Sequence, residues 1–398
     1  MSVHTSVDVQ SASTPEELVA RAVALQPLLR QHAGYGDVHR RQPDEVVEAL
    51  TEAGLFGLLV PRRFGGQQAS LRTLLDVTEA LGEVDGSAAW VVSLGAVAGW
   101  LVGLASERAR EDVFGEDPDA RIAGSITPTP AQRVDGGVLV TGRWPYASGA
   151  PHATWAAVGA LVTDDAGTPD VLLCLIPMAE VTVEDTWRTV GMRGTGSHHL
   201  AAENVFVPAH RTIRLSDIAE GASSGDADDA DDRPHTGSVL SLSILCPLLG
   251  LGRAALALAT EKADAKPLHH TVYHRQADSV GVQIQLARAA LALETARLHA
   301  VHVVDELDAA AARGIRPDYA ARAKIRAQCG YAMTQALEAV NVAADLYGAG
   351  SFAESSPMQQ VWRDANVLAR HAGQNAHVGY EVFGKALLGL PERISPTV

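Results

Sequence analysis

The sequence predicts a mainly α protein with a β-domain at its centre, and three observations carry that reading. Before about residue 121, apolar residues recur at helical spacing, as at Val46, Val47 and Leu50. From Ile122 to Val207, short apolar or alternating runs replace them. From Ser238 onward, long alanine-rich helical stretches resume. The expected division is helices over 1–121, a β-domain over 122–215, an acidic mobile loop over 216–237 and a helical bundle over 238–398.

Each element has a local reason. Thr14, Pro15 and Glu17 spell a capping box with proline at the first helical position. Pro43 and Asp44 open a helix that Gly54 closes. Residues 71–81 and 87–104 read as further helices, with few charges on one face. Asp135, Gly136 and Gly137 sit between two strand-like runs and predict a hairpin turn. In the last third, residues 238–265, 277–313, 318–346 and 357–388 read as long antiparallel helices. Gly314 and Pro317 punctuate one turn, and Ser356 with Gln359 predicts another capping box.

Composition bounds the function. The chain has 398 residues and a net charge of -15, a sign that repels nucleic acid and anionic membrane. Seven acids against Arg233 fall between Ser216 and Gly237. Three distant cysteines, Cys174, Cys246 and Cys329, make neither a disulfide framework nor a zinc pattern. The N-terminus lacks an apolar signal core. The longest apolar run, 239–251, is interrupted by Pro247 and is too short to span a bilayer. A cytoplasmic protein is expected.

Several motifs are weighed against plainer readings. Gly250, Gly252 and Ala255 fit a dinucleotide fingerprint, but no βαβ unit surrounds them, so close helix packing is expected. The pairs His198–His199 and His269–His270 lack ligand spacing, and no metal is expected. No nucleophile elbow is present. The informative segment is 142–155, where Trp144, Tyr146, Ser148, His152 and Trp155 crowd a strand–turn–strand. It suits a flat ring lying against backbone with Ser148 at its edge. It suits a β-core with a capped turn equally well.

That segment resembles the flavin-contacting strand of the acyl-CoA dehydrogenase superfamily, and more closely the two-component, group D flavin monooxygenases. Trp187 with the run from Gly191 to Ser197 resembles a second hallmark. Gly348 and Gly350, then Trp362 to Asp364, then Arg370 to Gly373 resemble a third. The likeness extends from about Gln42 to Gly389. It implies an N-terminal helical domain, a β-barrel or sandwich, a C-terminal four-helix bundle and a homotetramer.

The departures from the dehydrogenases imply the chemistry. Ala372 stands where their catalytic glutamate would be, with His371 beside it. The resemblance then implies an oxygenase using reduced flavin (FADH2 or FMNH2) and O2, through a C4a-hydroperoxide, to hydroxylate a phenol, indole or similar ring. Ser148 would bond the flavin at N5, and His371 would be the general base for the substrate proton. Ser125, Thr127, Trp144, Tyr146, Arg275 and Gln374 are assigned to flavin binding, Arg275 through a flavin phosphate. With no NAD(P)H site recognised, a separate NAD(P)H-dependent flavin reductase is expected to supply the cofactor. An amino-sugar N-oxygenase, an acyl-CoA dehydrogenase with a displaced base and a non-catalytic flavin binder remain alternatives. An aromatic-lined cavity would favour ring hydroxylation; a carboxylate-lined one would favour an amino-sugar.

Overall fold

A computed structural model describes residues 13–163, 167–220, 235–391, 393–395 and 398. The N-terminal helices are α1 (Pro15–Gln31), α2 (Tyr35–His39), α3 (Asp44–Glu52), α4 (Leu71–Gly82), α5 (Gly86–Val102) and α6 (Glu107–Phe114). Their starts follow from side-chain caps. Thr14 accepts from the Glu17 N–H while the Glu17 carboxylate accepts from the Thr14 N–H, the reciprocal box expected there. Ser70 and Asp85 cap α4 and α5 in the same one-sided way.

Seven strands follow: β1 (Ile122–Val134), β2 (Gly137–Ala147), β3 (Trp155–Thr163), β4 (Pro169–Pro177), β5 (Thr182–Glu184), β6 (His198–Pro208) and β7 (Thr212–Arg214). Their order is β5-β6-β2-β1-β3-β4-β7. The long strand β1 serves two neighbours. Its first half pairs parallel with β3, and its end pairs antiparallel with β2 across the turn at Gly136, where φ is 77°. A register shift between Ser125 and Thr129 lets the strand bend from one partner to the other.

The chain then forms α7 (Leu215–Glu220), so the loop expected from 216 begins as helix. Most of that acidic segment, 221–234, lies outside the described residues. The bundle comprises α8 (Thr236–Ala265), α9 (Val280–Ala311), α10 (Tyr319–Tyr347), α11 (Pro357–Leu368) and α12 (Ala376–Leu387). Two expectations fail here. Ser356 makes no capping hydrogen bond, and its hydroxyl is buried without a partner. The helix expected over 357–388 is broken in two. Asn375 caps α12 by accepting from His377 and Val378, and the His371 ring accepts from the Gly373 N–H, so the turn between them is closed by side chains.

Helix α8 is the spine. Among the described residues it is the one helix long and apolar enough to cross a membrane, contrary to the length read from the sequence, but 72% of its most apolar window is buried in the protein. Pro247 lies inside it and supplies no N–H for the Ser243 carbonyl. Ser93 of α5 meets that need, donating its hydroxyl to Ser243 O at 2.8 Å. The glycines of the fingerprint-like motif do pack helices closely. A Cβ at Gly250 would lie 2.3 Å from Glu79 O and 2.6 Å from Gly82, and one at Gly252 would lie 2.6 Å from Leu293. Glu79 is 5% exposed and receives both Arg253 and Arg297, tying α4 to α8 and α9.

Gly250→Ala is expected to lower stability by about 1–3 kcal/mol, because rigid backbone must move to admit the methyl. Gly384→Ala, where an added Cβ meets nothing within 4 Å, is expected to raise it by about 0.5–1 kcal/mol. Chemical denaturation of both variants beside the parent checks the pair.

Candidate active site

The site forms where one end of the sheet faces the bundle. Strand β2 supplies its first wall through a bulge. Trp144 pairs with Leu200 and Ala147 with His198, so β2 uses one more residue than β6 over that stretch. Without the bulge, alternation would send Tyr146 inward beside Trp144. Instead Tyr146 takes a left-handed φ of 65° and stands 66% exposed, while Ala147 fills the core. A bulky aromatic held at positive φ is backbone strain of the kind that collects at functional sites.

The second wall is the segment from Gly191 to Ser197. A Cβ at Gly191 would lie 2.4 Å from Arg363 O, and Gly194 lies against Gly36, Gln42 and Ser87. Glycine at these two positions lets the segment wedge between α11 and the N-terminal helices. Met192 adopts φ of 53°, which turns its carbonyl towards Trp187 Nε1 and the Thr195 hydroxyl, both donors at 2.8 Å. The Met192 N–H donates to the buried Asp364 carboxylate. Burial raises the Asp364 pKa to about 7, against the lowering effect of that N–H. His198 Nδ1 accepts from the Thr186 and Trp187 N–H groups at 3.2 Å, so it braces the loop that carries Trp187.

The bundle supplies the third wall, at the break between α11 and α12. His371 faces Trp90 with ring centroids 5.4 Å apart, and its Nδ1 accepts from the Gly373 N–H at 3.1 Å. That contact puts the neutral ring's proton on Nε2. Desolvation by the surrounding protein, then the nearby Arg326 guanidinium, pushes the His371 pKa below its ordinary value and favours the neutral ring, although the residue keeps much of its surface exposed. Arg326, itself buried, reaches the Gly373 carbonyl and the Gln374 side chain, and so holds the turn.

These walls enclose a cavity of about 320 Å³ lined by Trp90, Tyr146, Ser148, Trp187, His371 and neighbours from both elements. No carboxylate lines it among the described residues, and Arg370 is the cation at its edge. Ser148 lines it, receiving Trp90 Nε1 at 2.9 Å and touching Ser197 Oγ at 2.8 Å. The aromatic walls and the hydroxyl fit a flat heteroaromatic ring.

Of the residues expected from sequence, the cavity brings together Tyr146, Ser148 and His371. The others lie elsewhere. Trp144 is fully buried in the β-domain, with Nε1 bonded to Gly159 O at 2.8 Å, and is core. Ser125 and Thr127 sit on β1 and bond each other at 3.3 Å, away from this lining. Gln374 is buried behind His371, donating to Ser241 O, and borders a second cavity of about 350 Å³ between α10 and α12. Arg275 is at the surface before α9, paired with Asp264 and Asp278 at 3.0 and 2.8 Å. Trp90, Thr195, Ser197 and Arg326 went unassigned in the sequence reading. Trp90 lies in an apolar helix, where its distant partners Ser148 and His371 are what distinguish it from core.

Residues 17–115 match the acyl-CoA dehydrogenase N-terminal domain, and residues 242–376 match the acyl-CoA dehydrogenase C-terminal domain. The flavin-dependent monooxygenase oxygenase subunit HsaA of Mycobacterium tuberculosis is 32% identical over 97% of this chain and 98% of its own. The oxygenase component of an FADH(2)-dependent resorcinol hydroxylase from Rhizobium sp. is 30% identical over 94% of each chain. The structure of XiaF from Streptomyces sp., in complex with FADH2 and glycerol, superposes with a TM-score of 0.92 at 35% identity, covering 96% of this chain and 98% of XiaF. With its fold, its three-walled site and full-length relatives of this kind, the chain belongs to the acyl-CoA dehydrogenase family, among the oxygenase components of two-component flavin-dependent monooxygenases.

Proposed function

We propose that this protein hydroxylates an aromatic or heteroaromatic small molecule with reduced flavin and O2. The observation that carries the reading is the aromatic-walled cavity, with no carboxylate lining it among the described residues, that holds Ser148 and His371 together. An amino-sugar's ammonium would find no counter-charge there. The acyl-CoA dehydrogenase alternative lacks a base, since Ala372 lines the cavity where a carboxylate would be needed. Reduced flavin, FADH2 or FMNH2, would supply two electrons to O2, so that one oxygen atom enters the ring and the other leaves as water.

The chain's own groups do the rest. Tyr146, Trp90 and Trp187 exclude water and offer faces for flat rings. Ser148 meets the flavin edge at N5. His371 handles the substrate hydroxyl. The Gly373 N–H on Nδ1 favours the Nε2–H tautomer, in which His371 donates to the substrate oxygen; exchange of that backbone contact for the substrate proton would let the same ring act as the general base. Arg275, Ser125, Thr127 and Gln374 would serve the flavin only outside the ring cavity, Arg275 through a phosphate of flavin bound by a neighbouring subunit. The exposed face of α9 supports a homotetramer: Val280, Ile284, Leu291 and Leu298 recur at helical spacing and are 55–67% exposed. A cytoplasmic location and a separate NAD(P)H-dependent flavin reductase complete the proposal.

Supplied with chemically reduced flavin, ¹⁸O2 and a panel of phenols and indoles, the protein is expected to yield a ring-hydroxylated product carrying one ¹⁸O. Free hydrogen peroxide alone across the panel would defeat the reading. His371→Ala is expected to lose about 10²–10⁴-fold in product while reduced flavin is still oxidised to peroxide, and His371→Gln, which keeps a donor, to recover part of the loss. Because the ring's pKa is lowered, product formation in the parent is expected to hold through neutral pH and to fall on acidification, as protonation displaces the Gly373 contact. Leu291→Glu combined with Leu298→Glu is expected to yield smaller assemblies in sedimentation experiments.

A further inference from the structure

Ser148 ends a chain of hydroxyls whose protons can be counted. Its Oγ lies 2.8 Å from Ser197 Oγ, which lies 2.7 Å from Thr195 Oγ1, which lies 2.8 Å from the Met192 carbonyl oxygen. Three oxygen–oxygen contacts need three protons, and the three hydroxyls carry one each. A carbonyl supplies none. Each hydroxyl therefore donates to the neighbour nearer Met192. The reverse order would leave the Thr195 oxygen facing the carbonyl with no proton between them. Thr195 and Ser197 border the same cavity but are only 2% and 4% exposed, so bulk water competes little for their protons. Trp90 Nε1 is a donor only, and it gives its hydrogen to Ser148 at 2.9 Å. The Ser148 proton is thus committed to Ser197, and one of its lone pairs is filled by Trp90. One lone pair remains, on an atom that lines the cavity.

We infer that Thr195, Ser197 and Trp90 fix Ser148 as an acceptor towards the cavity, and that this selects reduced flavin over oxidised flavin. The inference rests on the reading that flavin binds beside Ser148. In reduced flavin, N5 bears a hydrogen and donates it. In oxidised flavin, N5 carries only a lone pair and would face the lone pair of Ser148. The site then holds the cofactor as it arrives and releases it once its electrons are gone. That exchange suits an oxygenase whose flavin is reduced on another protein. Thr195 and Ser197 are positioning residues: they act through Ser148.

The test is a comparison of binding on the full chain. Dissociation constants for oxidised flavin, and for reduced flavin under anaerobic conditions, are measured together with the midpoint potential of the bound flavin. Ser197→Ala frees the Ser148 proton to turn into the cavity, and Thr195→Val removes the anchor of the chain. Each is expected to shift the preference for reduced over oxidised flavin about tenfold towards the oxidised form, the scale of one hydrogen bond. The two-electron potential should then move about 30 mV more negative. Thr195→Ser, which keeps the hydroxyl, is expected to retain the parental ratio. Thermal melts identify folded variants, and either Ser197→Ala or Thr195→Val suffices alone. An unchanged ratio and potential overturn the inference while leaving flavin binding intact. Failure of the parent to bind either flavin overturns the proposed function instead.

Discussion

The site exists because the chain at Gly191 lies directly on the backbone of α11, with no side chain between them. The space is closed to a single methyl, since a Cβ there would be 2.4 Å from the Arg363 carbonyl oxygen. Around that contact three layers are tied. Met192 N–H enters the Asp364 carboxylate, and Arg363 reaches back to the Val190 carbonyl and to Asp37 of α2. Sheet, bundle and N-terminal helices therefore meet at one short segment. Ser148 belongs to one side of that junction and His371 to another, so their separation is fixed where the layers touch.

Local strain and polar order serve the same arrangement. Tyr146 and Met192 both hold positive φ, and both line the cavity. Such conformations persist only where surrounding contacts over-determine them. Here the contacts are visible: the bulge beside Ala147, and the three donors converging on the Met192 carbonyl from Trp187 and Thr195. The cavity combines aromatic walls with hydroxyls that are bonded to one another inside the protein, leaving Ser148 one lone pair towards the open space.

Much of the architecture was legible in the sequence because its causes are local. The Thr14 box, the turn at Gly136 and the small-residue contact at Gly250 each follow from a few neighbouring residues. The site was legible in part. Ser148 and His371 were reached through the resemblance, and the cavity joins them. Trp144 was assigned to the flavin through the resemblance, although alternation along β2 already points it inward; what alternation cannot reveal is the bulge that turns Tyr146 out. The break after α11 was missed because its cause is a side chain turning back on its own backbone, His371 to Gly373, within an otherwise helical pattern. Trp90 and Ser197 were missed because their meaning lies in partners 58 and 49 residues away along the chain.

The extra residue in β2 has a consequence for how this strand can vary. Upstream of it, every second side chain belongs to the interior; downstream, the parity is reversed. Packing and cavity shape are thereby decoupled over three positions, with Trp144 answering to the core and Tyr146 to the cavity. Change at Tyr146 can reshape the binding surface without opening a void beneath it. A shortening of the strand by one residue would exchange those duties, sending the phenol ring inward.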